Sequence, residues 1–147
     1  MPNHVPVKIK TFDDTVALPQ YHSEGAAGFD LSNRVSATIP AHTVQLVPTG
    51  IFLDVPNDYW VMLAARSSLH KLGLMLVNGV GVGDPDYRGD EDEYRILLYN
   101  FSDQPVTIAK GTRLVQVILM PRHTAVFHKV EQLNNTSRGG IGSTGSK

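Results

Sequence analysis

The sequence has no cysteine, and this single absence excludes disulfide frameworks, thiolate zinc sites and cysteine nucleophiles. An excess of either charge is also missing: 13 Lys and Arg stand against 14 Asp and Glu, a formal net charge of -1. A nucleic-acid partner held by a generally basic surface is therefore not expected. Long apolar runs are absent too, the longest being residues 72–77 and 114–120, well short of the roughly 20 residues of a membrane-spanning helix. No membrane partner is expected. Residues 1–10 contain neither a basic start followed by an apolar run nor a small-residue cleavage site, so the expected setting is cytoplasmic. The six histidines form no His-Glu-x-x-His pair, which argues against a histidine metal site.

What is present is punctuation. Thirteen glycines and nine prolines in 147 residues cut the chain into pieces too short for most helices. Between the breaks the apolar residues alternate: Val44, Leu46 and Pro48, then Ile51, Leu53 and Val55, then Trp60, Met62 and Ala64. A period of two predicts strands, with further strands over 5–11, 74–77, 93–100, 106–108, 113–120 and 126–130. The fold class is all-β, with a jelly-roll-like barrel as the leading architecture. One short helix is predicted over 67–71, capped by Ser67 and terminated by Gly73. The domain spans 1–133. Residues 134–147 form a tail with one large apolar side chain, Ile141, too little to fold alone, so it is expected to be mobile until something binds it.

Three segments carry candidate chemistry. Residues 78–89 (NGVGVGDPDYRG) place glycines at alternate positions before two carboxylates, an aromatic and a cation; glycine lets a planar ligand approach main-chain donors and acceptors closely. Asp84 stands where strand meets turn. Arg66, Ser67 and Ser68 combine a guanidinium and two hydroxyls at a helix start, a plausible phosphate site. The tail at 138–145 (RGGIGSTG) offers backbone N–H groups, hydroxyls and a cation able to wrap a polyphosphate, without the lysine or the strand-to-helix setting of a Walker loop. The acidic stretch from Asp90 to Glu93 is most simply a solvated turn.

In order along the chain these pieces resemble the five-motif pattern of trimeric deoxyuridine triphosphatases. AAGFDL at 26–31 looks like the first motif, ARSSL at 65–69 the second, 78–89 the third, GTRLVQ at 111–116 the fourth and 138–145 the fifth. The resemblance implies a homotrimer whose active sites lie between subunits, the tail of one chain closing a site built from the other two. It implies hydrolysis of dUTP to dUMP and pyrophosphate with Mg²⁺. Asp84 matches the carboxylate that activates water, and Tyr87 the aromatic against deoxyribose. Asn78 and Gly81 lie in the hairpin that reads uracil. Arg66, Ser67, Ser68, Gln116, Arg138, Gly142, Ser143 and Thr144 match substrate-contacting positions, and Asp30 the carboxylate near metal-bound waters.

The chain departs from the pattern in four places. Ile141 stands where the family usually has a phenylalanine stacking on the base, Arg138 directly precedes Gly139, Gly83 replaces a bulky residue before Asp84, and the stretch from Asp90 to Glu93 lengthens the link to the next strand. Two alternatives follow. A dCTP deaminase-related enzyme shares the segment 66–74, but needs a proton-transferring carboxylate in the strand over 96–100, where this chain has Leu97 and Leu98. A non-catalytic nucleotide-binding or regulatory relative would keep the fold without turnover.

Overall fold

The computed structural model describes residues 4–145. Ten strands carry the chain: β1 (Lys8–Thr11), β2 (Phe29–Ser32), β3 (Ala37–Ile39), β4 (Val44–Asp54), β5 (Tyr59–Ala65), β6 (Leu74–Leu76), β7 (Gly81–Gly83), β8 (Tyr94–Asn100), β9 (Val106–Ile108) and β10 (Arg113–Pro121). They pair antiparallel into two four-stranded sheets, ordered β1-β4-β8-β6 and β2-β10-β5-β7, and a two-stranded ribbon, β3-β9. The all-β, jelly-roll-like reading holds in this arrangement of layered sheets.

Alternation explains why these segments are strands. In β8, Tyr94, Ile96, Leu98 and Asn100 turn inward while Arg95 faces water. Both sheets feed one core: Val47, Ile51 and Leu53 from β4, Val61 and Leu63 from β5, and Leu114, Val115 and Val117 from β10 all belong to it. Each such side chain contributes about 1.5–3 kcal/mol by leaving water. Two asparagines tie the loops to this core. Asn33 donates to the carbonyls of Val35 and Ala109 and accepts from the Thr112 N–H. Asn100 donates to the carbonyls of Ile39 and Gln104 and accepts from both N–H and hydroxyl of Ser102. Both amides are fully engaged, as buried polar groups require.

Several expectations are corrected. The segments around Pro48 and Gly50 are not two strands: β4 runs through them, absorbing the irregularity as a register shift between Pro48 and Ile51. The first strand begins only at Lys8. The helix is a 3-10 turn, Leu69–Leu72, whose N-cap is Ser68, not Ser67, and makes no side-chain capping bond. Gly73 terminates it as expected, with φ 77° and its N–H donating to His70. Strands β2 and β3 are additional to those predicted, and β7 is the short strand that leads into the turn at Asp84. No strand forms over 126–130; beyond Pro121 every described residue is exposed, Phe127 and Leu133 among them. The alternating apolar residues there lack a surface to pack against within one chain.

Candidate active site

The register of the second sheet assembles the first half of the site. Gln116 of β10 lies opposite Asp30 of β2 on one side and opposite Ala64 of β5 on the other. Three segments distant in sequence thus reach one place. Arg66, just past β5, ion-pairs through Nε with Asp30 at 3.1 Å, and Arg113 does so through Nη1 at 3.1 Å. His22 Nε2 stands 3.6 Å from the same carboxylate oxygen. Arg66 Nη1 also donates to the Arg113 carbonyl, and Gln116 Nε2 to that of Ala65. Ser67 is exposed and Ser68 half-buried beside them. Two guanidiniums on one carboxylate leave a surplus of positive charge, which suits a polyanion.

The second half is the turn after β7. The Tyr87 N–H donates to the Asp84 carbonyl at 3.0 Å, closing a turn over 84–87. Asp84 is exposed at its start. The Tyr87 hydroxyl donates to the Glu93 carbonyl at 2.8 Å, and its ring meets that of Tyr94 edge to face, centroids 5.4 Å apart at 87°. A cleft of about 400 Å³ opens here, lined by Leu46, Leu63, Asn78, Gly81, Val82, Gly83, Tyr87, Glu93, Tyr94 and Arg95. Burial raises the Tyr87 phenol above its ordinary pKa, with Asp92 and Glu93 adding to the rise and Arg95 opposing it. Burial, then the neighbouring Tyr87, Asp84 and Asp92, push the Tyr94 phenol up to about 12.

Gly83, the odd residue before Asp84, has a steric cause. A Cβ there would lie 2.7 Å from Tyr94 Cε1 and 2.9 Å from Tyr94 Cζ. The tyrosine ring occupies the space that a side chain at 83 would take. The acidic stretch is not simply solvated either, because Glu93 is buried. Its Oε1 accepts from Arg34 Nε at 3.0 Å and from the Gly50 N–H at 2.8 Å. Asp92 accepts from the Gly89 N–H, and Lys10 reaches Asp90; the stretch from Asp90 to Glu93 folds back on β1 and β4.

One chain does not join the halves. In the strand order β2-β10-β5-β7, Asp30 and the hairpin are three strand spacings apart, roughly 14 Å at about 4.8 Å per strand. The tail joins neither half: its hydrogen bonds are Ser143 N–H to Gly140 and Gly145 N–H to Gly142, and Arg138, Ile141, Gly142, Ser143 and Thr144 are all exposed. Among the described residues no three His, Asp or Glu side chains converge as a metal cage.

The chain is similar to known proteins in both sequence and structure. The dUTPase family model matches residues 14–146. The chain belongs to the dUTPase family. Curated relatives named deoxyuridine 5'-triphosphate nucleotidohydrolase include one from Helicobacter pylori (strain P12), 38% identical over 95% of this chain and 96% of that protein. Another, from Caldanaerobacter subterraneus subsp. tengcongensis, is 39% identical over 95% of this chain and 97% of that protein. A crystal structure of the dUTPase from Streptococcus mutans has 32% identity and a TM-score of 0.76, covering 81% of this chain and 98% of that one. The dUTPase of Staphylococcus bacteriophage 80alpha, solved with dUPNHPP, shares the fold at a TM-score of 0.84 and 19% identity, over 95% of this chain and 98% of that one.

The structure brings Asp30, Arg66 and Gln116 together, and sets beside the candidate residues four others, Arg113, His22, Glu93 and Tyr94, which the sequence reading does not single out. Arg113 lies in the fourth motif and was legible there as a cation. Tyr94 follows from the alternation that turns Ile96 and Leu98 inward. For His22 and Glu93 only the tertiary register brings the partner close.

Proposed function

We propose that this chain hydrolyses dUTP to dUMP and pyrophosphate, with Mg²⁺, in active sites shared among three copies. The observation that carries the reading is the division of the family's motifs: the Asp30, Arg66 and Gln116 half, the Asp84 to Tyr87 half and the tail are separate in one chain. A site assembled from several chains reunites them.

The roles in this reading are those that the family resemblance implies. The main chain around Asn78 and Gly81 pairs with uracil, and cytosine, presenting an amino group for a carbonyl, leaves buried groups unpaired. The Tyr87 ring lies against the deoxyribose and leaves no room for a 2'-hydroxyl. Asp84 takes a proton from a water placed for in-line attack on the α-phosphorus. An oxygen–phosphorus bond forms, the bond from the α-phosphorus to its bridging oxygen breaks, and pyrophosphate leaves. Arg66, Ser67, Ser68, Gln116 and the tail residues Arg138, Gly142, Ser143 and Thr144 stabilise the charge on the leaving group, with Ile141 over the base.

The donor set fits Mg²⁺ carried mainly on the triphosphate, since such an ion keeps several waters and needs few protein carboxylates. Asp30 would hold it through water. When bound, such an ion would supply neutralisation of phosphate charge and a fixed triphosphate conformation.

The test is pyrophosphate release by the purified protein with Mg²⁺, comparing dUTP with dCTP, dTTP and UTP. Release from dUTP alone, giving dUMP, is expected. No release from dUTP, with tight binding of a non-hydrolysable analogue, would leave a binding protein; conversion of dCTP would make it a deaminase.

A further inference from the structure

Both ends of the turn over 84–87 rest on one side chain, Tyr94. It is 4% exposed, and its hydroxyl is buried with no hydrogen-bond partner among the described residues. At one end the ring packs so closely beneath Gly83 that a Cβ there would lie 2.7 Å from Cε1 and 2.9 Å from Cζ. At the other it meets the Tyr87 ring edge to face. The Tyr94 backbone is itself fixed, since its carbonyl accepts from the Thr49 hydroxyl. Tyr87 has less support of its own: its hydroxyl is tied to the Glu93 carbonyl, but the residue is 39% exposed, lines the cleft and has its ring against Tyr94.

An unpartnered buried hydroxyl is unfavourable, so hydrogen bonding does not explain the phenol's place; packing does. The glycine and the tyrosine form an exchange of volume, the ring supplying from β8 what β7 lacks. We propose that Tyr94 is a positioning residue that sets the sugar selectivity of the site by fixing the plane of the Tyr87 ring. This rests on the reading of Tyr87 as the aromatic against the deoxyribose. A wall that yields rejects an added hydroxyl poorly, whereas a wall held in place excludes it. Base selection depends on the hairpin main chain and is separate from this wall.

The experiment measures kcat/KM for dUTP, UTP and dCTP in the parent chain and in four variants, each verified by thermal melting. Tyr94→Met keeps bulk but removes the ring. Gly83→Ala leaves Tyr94 intact and displaces it from the strand side, so a folding failure in one variant does not remove the test. In both, the preference for dUTP over UTP should fall at least about tenfold while that for dUTP over dCTP stays within about threefold. Tyr94→Phe retains the ring and should retain the sugar preference. Tyr87→Ala separates the inference from the reading beneath it. If Tyr87→Ala loses sugar preference while Tyr94→Met and Gly83→Ala keep it, the role of Tyr94 is overturned and that of Tyr87 stands. If Tyr87→Ala keeps it, the role of Tyr87 falls, and that of Tyr94 with it.

Discussion

Glu93 Oε1 accepts the backbone N–H of Gly50 at 2.8 Å, and Gly50 sits at φ 74° within the register shift of β4. The carboxylate thus fills the gap that the strand irregularity leaves in the ladder, while also pairing with Arg34 at 3.0 Å. Glu93→Ala strands a buried N–H and a half-buried guanidinium together, and should cost about 2–4 kcal/mol in urea denaturation. Glu93→Gln, which keeps the acceptor for Gly50, should cost about half as much.

Asp84 is exposed and its carbonyl, not its carboxylate, closes the turn to Tyr87. Asp84→Asn should therefore leave the turn and substrate binding intact while removing the proton acceptor. Steady-state kinetics should show turnover reduced by about two orders of magnitude or more, with calorimetric binding of a non-hydrolysable dUTP analogue near that of the parent. Near-normal turnover would take the base role from Asp84.

Deleting residues 134–147 removes no hydrogen bond to the rest of the described chain. Melting temperature and circular dichroism should stay as they are. Activity should fall by about a hundredfold or more, because the phosphate donors of the tail are lost. A truncated chain with full activity would rule out a closing role for the tail.

Tyr94 gives stability an alkaline limb. Its phenol is pushed up to about 12 in the folded chain from an ordinary 10.0, so between those values the unfolded chain sheds its proton first. The contribution is intact below pH 10.0 and is lost as pH rises toward about 12, at roughly 1.4 kcal/mol per pH unit. Tyr94→Phe lacks this share, so the parent should lose ground to it in denaturation series run upward through that window. Parallel declines would place the effect elsewhere.

Much of the sheet was legible in the chain because alternation is local: Ile96 and Leu98 announce β8 without help from the rest of the fold. Short strands such as β2 and β3 were not, since Phe29–Ser32 and Ala37–Ile39 are held by neighbours rather than by their own pattern. Pro48 and Gly50 read as breaks because the cost of each is local, while the compensation, Glu93, arrives from 43 residues away. The alternating apolar residues over 126–130 show the converse: a strand pattern forms no strand where a single chain supplies no edge. In the site, Asp30, Arg66, Asp84, Tyr87 and Gln116 came from motif resemblance. The reason for Gly83 did not, because it depends on which ring packs under it.

The pairing of Arg66 and Arg113 with Asp30 also fixes the charge balance at that place. Neither guanidinium is an idle charge awaiting any anion, for each already faces a carboxylate at 3.1 Å. A chloride arriving there competes with an anion built into the protein and brings no more charge than Asp30 does. The internal carboxylate thus cancels part of the charge of the two guanidiniums, so that an arriving anion meets about half the positive charge that the two arginines alone would present.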